Sequence, residues 1–465
     1  MKTVFYKMAS GVFRRISGGA ETVYRYVSGS PVSYPVSHLL RSFTVLLLFC
    51  LSVLTFTQAK ASQQKPVRIE FWTMSLKPKF IPYFQQLIRD YESLHPGTQI
   101  IWTDYPWDIL QLKLVTAIAA GKPPALVNLS VPWAEALARD GMLEPVDQWL
   151  APAGQQADYT DGALDDLRFN GRLYGFPHYS NVNVIAYNKT LLQQAGVNRA
   201  PADLNQVFQM AIRVAERTGK PAYAPALGKI DGFFLQQGLP VLKGQRAAFD
   251  SDAHVRLVEQ LKTVYAAGGL LKDKLFAEDN FPAVIDAYLG GRLAMMVSAP
   301  SAIRRVQTDA PDIYAQTGIF AMPAGPTGIN DGGWMFHFAV PKGNQSGQMP
   351  AIAEFARYLT GSARQLEFAA LAGVMPTTRS GLRQTLIRAA GNSSDPAQQA
   401  VIEAARSMQN ARSLYVSGIE DYDELRRILV QATEAAVTGR KPVRSSLEEA
   451  ARIWNKKLAT QKGGR

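Results

Sequence analysis

Aromatic and polar side chains occur where predicted strands end and helices begin. Trp334 follows the pair Gly332-Gly333, and Ser130 and Trp133 come directly after a buried strand. Glycine lets backbone approach a ligand closely, and an aromatic ring offers a rigid apolar face to the C–H surface of a ligand. A buried hydroxyl must also find a hydrogen-bond partner. These residue types predict a cleft that binds an uncharged, hydroxyl-rich ligand.

Catalytic and metal-binding patterns are weak by comparison. The motifs H-E-x-x-H, G-x-x-x-x-G-K-[ST] and G-x-S-x-G are absent from the sequence. A glycosidase needs two carboxylates roughly 5 to 10 Å apart, whereas Asp165-Asp166 and Glu278-Asp279 are adjacent acids that we expect at the surface. His178 and Tyr179 are the one pair placed to suit a ferric ion. We expect no catalytic residue, no cofactor and no metal, with iron as the metal alternative.

Strands alternate with amphipathic helices in the first part of the chain after residue 66. Val67 to Trp72, Gln99 to Thr103 and Ala125 to Leu129 are predicted strands. Between them apolar residues recur at helical spacing, as in Phe80, Phe84, Leu87, Ile88, Tyr91 and Leu94, and again in Leu110, Leu114 and Ile118. This alternation predicts a parallel-rich α/β sheet.

The segment from Phe169 to Val197 predicts a strand that crosses between two lobes. Asn170-Gly171 signals a turn, and the strand from Arg172 to Pro177 is expected to end at the proline, which cannot donate to a ladder. Val182 to Tyr187 is a second predicted strand, and Asn188 stops it ahead of a helix.

This segment resembles the lobe-crossing segment of the extracellular solute-binding proteins that serve carbohydrate ABC importers, the maltose-binding-protein-like group. The shared pattern is (N)G-x-x-Y-G-x-P, followed about ten residues later by Y-N-K-x-L-x-x-x-G. Further blocks resemble the same family in the expected order: Ala120 to Pro124, Gly141 to Pro145, Leu289 to Ser301, Asp331 to Trp334 and Gly373 to Thr377. Ala125 departs from the family, which often has an acidic residue there.

The resemblance implies an α/β fold, the two-lobed periplasmic binding protein of type II, with interleaved lobes, a hinge and a ligand cleft between them. Residues 1–61 would be a signal peptide, residues 62–181 and 322–378 lobe 1, and residues 182–321 and 379–465 lobe 2. The chain is expected to cross between lobes near Ser180 to Asn183, near Phe320 to Pro323 and near Thr378.

The resemblance also implies ligand-binding positions. Asn181 stands where the family presents a polar side chain into the cleft, and Phe233 where it places a stacking aromatic. The family often has a tryptophan at Ser301, and Tyr422 is predicted to replace that ring. The full predicted set comprises Thr73, Ser75, Ser130, Trp133, Tyr179, Asn181, Phe233, Ser301, Gly333, Trp334 and Tyr422.

The first 61 residues predict export. A basic lead is followed by the apolar run Phe43 to Phe56, and Ala59-Lys60-Ala61 offers a small-x-small cleavage site. The run is short for a membrane span, so cleavage after Ala61 and a periplasmic location are expected, with a retained anchor as the alternative. Cleavage would also remove Cys50, the single cysteine.

The charge distribution argues against a nucleic-acid partner, and none is expected. The net charge of +12 falls to +6 without residues 1–61, which hold seven Lys or Arg and one Glu, and the remaining basic residues are scattered. We expect a monomer that binds a sugar, oligosaccharide or polyol and delivers it to the permease subunits of an ABC transporter. The alternatives are an anionic solute such as glycerol phosphate, held by Arg379 or Lys77, a secreted carbohydrate-active enzyme, and a sensory receptor.

Overall fold

The computed structural model describes residues 66–150, 158–331, 334–344, 346–392, 394–419 and 422–462. Residues 66 to 465 form one compact unit. The predicted leader, its cleavage site and Cys50 lie outside the described residues. Within the described ranges, no helix is both long enough and apolar enough to cross a membrane.

The strands have these bounds in chain order: β1 Val67–Met74, β2 Thr98–Tyr105, β3 Leu126–Ser130, β4 Arg168–Phe169, β5 Arg172–Leu173, β6 Phe176–Ser180, β7 Val184–Asn188, β8 Leu242–Lys243, β9 Arg246–Ala247, β10 Met295–Ser298, β11 Thr317–Ala321, β12 Asn330–Asp331, β13 Phe336–Ala339, β14 Met375–Pro376 and β15 Ala411–Arg412.

The α-helices cover Ile81–Leu94, Trp107–Ala119, Val131–Arg139, Asp147–Leu150, Asp161–Asp165, Lys189–Gln194, Leu204–Thr218, Ile230–Gln236, Asp252–Ala266, Phe281–Leu289, Pro300–Asp309, Pro311–Ala315, Met349–Leu359, Ser362–Ala372, Arg379–Ala390, Pro396–Ser407, Tyr422–Val437 and Val443–Lys462.

Local interactions explain where two of the helices begin or end. The helix Lys189–Gln194 starts after Asn188, whose side chain accepts a hydrogen bond from the Leu191 N–H at 3.0 Å. The helix Leu204–Thr218 ends at Gly219, which has a φ of 67°. A side-chain cap satisfies a free N–H at the start of a helix, and glycine adopts this left-handed conformation without strain.

The larger sheet has six strands in the order β14-β6-β13-β3-β1-β2. Strands β1, β2 and β3 are parallel, as predicted, and they correspond to the three strands expected before residue 130. The other pairs, β13 with β3, β13 with β6 and β14 with β6, are antiparallel. The prediction of a parallel-rich sheet is therefore wrong for half of this sheet.

A second, three-stranded sheet has the order β10-β7-β11 and is antiparallel throughout. The chain passes from the first sheet to the second between Ser180, the last residue of β6, and Val184, the first residue of β7. Three residues join the two strands, so this segment contains no helix.

Hydrophobic residues form separate clusters around the two sheets. One cluster packs the strands of the first sheet against helices before residue 177 and between residues 335 and 368. Two more clusters surround the second sheet and draw on residues 182 to 306 and on helices after residue 375. Each cluster thus combines distant parts of the chain. The lobe boundaries given above stay a prediction.

Pro177 lies inside β6 and does not end the strand, which corrects the prediction. It pairs with His337 of β13, at a register shift between Phe336 and His337. On the other side, β14 pairs only with Tyr179 and Ser180. Because β14 stops short of Pro177, the missing N–H removes no bond to that strand, which is how a proline is tolerated in a sheet.

Candidate functional site

One edge of the first sheet gathers residues from five strands. Strands β1 and β2 end level with each other, since Met74 pairs with Tyr105. Strand β13 runs antiparallel to β3 and β6, so its first residue, Phe336, pairs with Ser130 on one side and Tyr179 on the other. Ligands of open α/β sheets bind outside the carboxyl ends of parallel strands, which this edge contains. It is therefore the candidate site.

Aromatic rings form a row along this edge. The ring centres of Tyr179 and Phe336 lie 5.1 Å apart, and those of Phe336 and Trp107 lie 5.3 Å apart. Phe336 is buried, whereas half of the Trp107 side chain is exposed. Burial raises the pKa of the Tyr179 hydroxyl well above its usual value, so this side chain stays neutral. The row offers apolar faces with a polar margin.

At the end of β1, Thr73 is held inside the lobe. Its hydroxyl donates to Asp104 Oδ1 at 2.6 Å and accepts from Trp102 Nε1 at 2.7 Å, and the residue is fully buried. Ser75 is exposed and has a φ of 50°, in the left-handed region that non-glycine residues rarely adopt. Ser75 thus reaches solvent at this edge, while Thr73 shapes the turn beneath it.

Asp104 organises the chain immediately after β1. Its two carboxylate oxygens accept hydrogen bonds from the N–H groups of Leu76 and Lys77, each at 3.0 Å. The Lys77 ammonium lies 4.5 Å from the centre of the Trp102 ring. This ordered turn holds one exposed cation beside the candidate site.

Three more predicted residues lie at strand ends. Ser130 occupies the capping position of the helix Val131–Arg139, yet its side chain makes no capping hydrogen bond. Trp133, in the first turn of that helix, is half-buried against the first cluster. Asn181 is half-buried in the crossing between β6 and β7. The structure therefore places Ser130 at the same edge as Tyr179, with Trp133 one turn behind.

On the second-sheet side, the predicted residues have different surroundings. Phe233 and Phe234 both pack into the second cluster, and Phe233 is 9% exposed. Ser301 is exposed at the start of the helix Pro300–Asp309. A Cβ atom added to Gly373 would lie 2.8 Å from the Cβ atom of Ser301. Ser301 thus faces the segment that leads into β14.

Tyr422 is engaged by a carboxylate. Its hydroxyl donates to Asp231 Oδ2 at 2.6 Å, and Arg426 Nε donates to the same oxygen at 3.3 Å. Burial, followed by the Asp231 carboxylate, raises the pKa of the Tyr422 hydroxyl far above its usual value. Tyr422 therefore remains a hydrogen-bond donor at any ordinary pH and orients Asp231.

Trp334 precedes β13 and is 50% exposed. The ammonium of Lys229 lies 4.6 Å from the centre of its ring, which is the geometry of a cation–π contact. Lys229 comes from the part of the chain that packs around the second sheet. Gly333, the remaining predicted residue, lies outside the described residues.

The iron alternative finds no support in the part of the chain that the structure describes. No three His, Cys, Asp or Glu side chains there are arranged to hold a metal ion. His178 is fully buried, and its ring packs against Phe338 and Phe368 with ring centres 5.2 and 5.1 Å away. Burial lowers the pKa of His178 to about 3, so the ring is neutral and belongs to the core.

A polar cavity of about 370 Å³ lies elsewhere, between the helix Val131–Arg139 and residues 413–418. Asp166 lines it and accepts a hydrogen bond from the Ser413 N–H at 2.8 Å. Burial raises the pKa of Asp166. The expectation that both members of the pair Asp165-Asp166 are solvated is thus wrong for Asp166, because the returning chain covers it.

Of the two cations considered for an anionic ligand, Arg379 and Lys77, one already pairs with a carboxylate. Arg379 donates to Asp161 Oδ1 at 2.7 Å, so its guanidinium already has a carboxylate partner. Lys77 stays exposed.

Comparison with known proteins identifies the fold. A proposed oligosaccharide periplasmic-binding protein from Synechococcus sp. MITs9220 is 27% identical, with a TM-score of 0.73 over 84% of this chain and 99% of that one. The sugar-binding protein MalE from Xanthomonas citri is 22% identical, with a TM-score of 0.72 over 85% of this chain and 98% of that one. The chain therefore has the two-lobed fold of periplasmic binding proteins, as predicted.

The sequence comparisons identify the family. The family model of the bacterial extracellular solute-binding protein matches residues 77–366, more than half of the chain. A proposed binding protein of Brucella abortus is 25% identical over 299 residues, which are 62% of this chain and 70% of that protein. The chain belongs to the bacterial extracellular solute-binding protein family, and the resemblance noted in the sequence is confirmed.

Sequence reasoning missed two residues near the site. Trp107 follows Pro106 at the end of β2, so the rule that selected Trp133 would have selected it as well. Lys229 carried no signal, because its partner Trp334 is distant in the sequence.

Proposed function

We propose that this chain captures a sugar, an oligosaccharide or a polyol between its lobes and delivers it to the permease of an ABC importer. The observation that carries the proposal is the aromatic row Tyr179, Phe336 and Trp107 at the strand ends of the first sheet. A row of rings that ends in the half-exposed Trp107 suits the C–H face of a sugar. The similar structure from Synechococcus is named as a proposed oligosaccharide-binding protein, which supports the same ligand class.

Capture would proceed by hinge closure. The proposed lobes are residues 62–181 with 322–378 and residues 182–321 with 379–465. The contacts that join them include Lys229 with Trp334 and Ser301 with Gly373. A ligand that touches both lobes binds the closed form more tightly than the open form, and this difference shifts the population toward closure. The permease would then recognise the closed surface.

The proposed ligand-binding residues are the predicted set, with Trp107 added. Ser75, Ser130, Trp133, Tyr179 and Trp334 have direct support from their places at or beside the sheet edge. Thr73, Phe233 and Tyr422 are assigned a supporting role, because their side chains are engaged inside the lobes. Asn181, Ser301 and Gly333 complete the set.

Export and the absence of catalysis belong to the same proposal. The leader of residues 1–61 would be removed after Ala61 and the remaining chain released into the periplasm. The ligand would be returned unchanged, since the proposed mechanism contains no bond-breaking step.

A thermal-shift screen of residues 62–465 tests this function. The panel would contain glucose, maltose, maltotriose, mannitol, glycerol 3-phosphate, amino acids and a ferric salt. A ligand at 100 times its Kd stabilises the folded chain by about 2.7 kcal/mol. We expect a rise in Tm with a neutral sugar or polyol, and loss of that rise in Trp334→Ala. A response restricted to glycerol 3-phosphate or iron would overturn the proposal.

A further inference from the structure

Residues 411–416 form a strap between the two proposed lobes. Tyr415 packs against the cluster of the first sheet, whereas Val416, the next residue, packs against a cluster of the second sheet. Ala411, at the start of the strap, is buried in the other cluster of the second sheet. Because adjacent side chains contact different clusters, the chain passes between the lobes here. None of the three crossings predicted from the sequence includes this segment.

The first half of the strap is anchored to the first lobe. Asp166 Oδ2 accepts a hydrogen bond from the Ser413 N–H at 2.8 Å, and Ala411 and Arg412 pair with β12. Gly162 lies against the same residues, because a Cβ atom added to it would lie 2.5 Å from the Ala411 carbonyl oxygen. A residue without a side chain allows this close backbone approach. These contacts fix one end of the strap.

Tyr415 holds the second half of the strap. Its hydroxyl is hydrogen-bonded to Glu135 on the helix Val131–Arg139. Burial, followed by the Glu135 carboxylate, raises the pKa of the Tyr415 hydroxyl far above its usual value, so the hydroxyl stays a donor. Ser130 and Trp133 of the candidate site lie at the start of the same helix. Tyr415 thus connects a helix that carries part of the site with the segment that enters the second lobe.

The polar cavity of about 370 Å³ lies beside the second half of the strap. Glu135, Asp166 and Tyr415 all line it. A close-packed interior resists rearrangement, whereas a polar cavity large enough for water can change its shape at a smaller cost. The strap therefore has a fixed end at Ser413 and room to move near Tyr415.

We propose that the strap is a conformational device, in which the hydrogen bond from Tyr415 to Glu135 favours the conformation where the lobes meet. The inference rests on the hinge closure of the proposed function. The described conformation contains both this bond and the contact of Lys229 with Trp334. Rotation of the second lobe about the anchored end would carry Val416 away from the first lobe and break the bond. A contact made in only one of two conformations shifts the population toward that one, so Tyr415 raises ligand affinity without touching the ligand.

Tyr415→Phe tests the device, since it keeps the ring in the first cluster and removes the hydroxyl. Tyr83→Phe is the matched control. Tyr83 packs against the same cluster, and its hydroxyl donates to the Arg364 carbonyl at 2.9 Å. Both partners of that bond lie within the first proposed lobe, so its loss leaves the balance between the two conformations unchanged.

The separation of the lobes would be measured without ligand by pulsed electron paramagnetic resonance. Nitroxide labels would be attached to Leu112→Cys in the first lobe and Asp286→Cys in the second, in a Cys50→Ala chain. The side chains at these two positions are 72% and 77% exposed. The Kd would be measured by calorimetry with the neutral probe, which is the sugar or polyol of the thermal-shift panel that gives the largest rise in Tm.

We expect Tyr415→Phe to move the ligand-free label distances toward a more separated population. It should also raise the Kd for the neutral probe about fivefold, which is about 1 kcal/mol. Tyr83→Phe should change neither. Label distances or a Kd that match the wild type in Tyr415→Phe would show that the bond is structural only, and would overturn the inference while the proposed function stands. A wild-type chain that binds no neutral probe overturns both.

Discussion

The ammonium of Lys229 lies 4.6 Å from the centre of the Trp334 ring, and the two residues belong to different proposed lobes. The ring is half-exposed, so the cation covers one face and leaves the rest to solvent or ligand. A contact of this kind forms only when the two segments are close. It therefore ties the best aromatic candidate of the first lobe to the conformation in which the lobes meet.

Removal of the Lys229 charge should weaken ligand binding without unfolding the chain. A cation–π contact at a partly exposed site contributes about 0.5 to 1 kcal/mol, so Lys229→Gln should raise the Kd for the neutral probe about two- to fivefold. The control is Lys272→Gln, because Lys272 lies 4.7 Å from the Tyr265 ring within the same lobe. Calorimetry on both variants distinguishes them, and equal effects would contradict a role in closure.

Gly373→Ala should impair closure by steric contact. The new Cβ atom would lie 2.8 Å from Cβ of Ser301, and Gly373 has a φ of 73°. Gly439→Ala is the control, since Gly439 has a φ of 77° and no atom within 4 Å of an added Cβ. Both variants should lose about 1 to 2 kcal/mol of stability from the left-handed backbone.

Only Gly373→Ala should also lose affinity, measured by calorimetry with the neutral probe. Ser301→Gly in the same chain should restore part of that loss, because it removes the side chain that the new methyl meets. Identical affinities for Gly373→Ala and Gly439→Ala would show that this contact plays no part in binding.

Local signals in the sequence predicted most of the fold. The helix Ile81–Leu94 buries Phe84, Leu87 and Tyr91 on one face, which is the stripe that the spacing indicates. Asn188 ends β7 ahead of a helix, as predicted, and its side chain caps the helix Lys189–Gln194. These features depend on neighbours within a few residues, so the sequence alone carries them.

Features that depend on distant segments were not predictable in the same way. Pro177 fits inside β6 because the partner strand β14 is short, and Asp166 is covered because residue 413 returns to it. The antiparallel half of the first sheet depends on β13, which the chain adds more than 150 residues after β6 begins. Of the site, the strand-end residues were predicted, whereas the contact of Lys229 with Trp334 required the tertiary structure.

Acid should destabilise the chain through its buried histidines, which include His178, His337 and His254. His178 and His337 are fully buried, and burial lowers the pKa of each from 6.5 to about 3. Below pH 6.5 the unfolded chain binds a proton at each ring and the folded chain does not, so the free energy of unfolding falls as the pH drops toward 3. At pH 5 the loss is about 2 kcal/mol per histidine.

Urea denaturation between pH 7 and pH 4.5 checks this slope. His178→Phe replaces the imidazole between Phe338 and Phe368 with a ring that does not titrate. It should therefore remove about half of the pH dependence that His178 and His337 together give to the free energy of unfolding. His95→Asn is the control, because the His95 side chain is 29% exposed and lies near Glu354. An unchanged slope in His178→Phe would refute the assignment of a neutral buried imidazole.

A substitution of Thr73 tests whether this residue supports the site or contacts the ligand directly. Thr73→Val keeps the shape but removes the hydroxyl that joins Asp104 and Trp102, which leaves the Trp102 Nε1–H without its acceptor. A buried donor left unpaired costs about 1 to 3 kcal/mol, so we expect a clear fall in urea midpoint. Thr116→Val, which removes an exposed hydroxyl bonded to the Leu112 carbonyl, should have little effect.

If Thr73 acts only through the turn that Asp104 holds, the affinity for the neutral probe should fall less than threefold. A tenfold loss of affinity at unchanged stability would instead place its hydroxyl against the ligand.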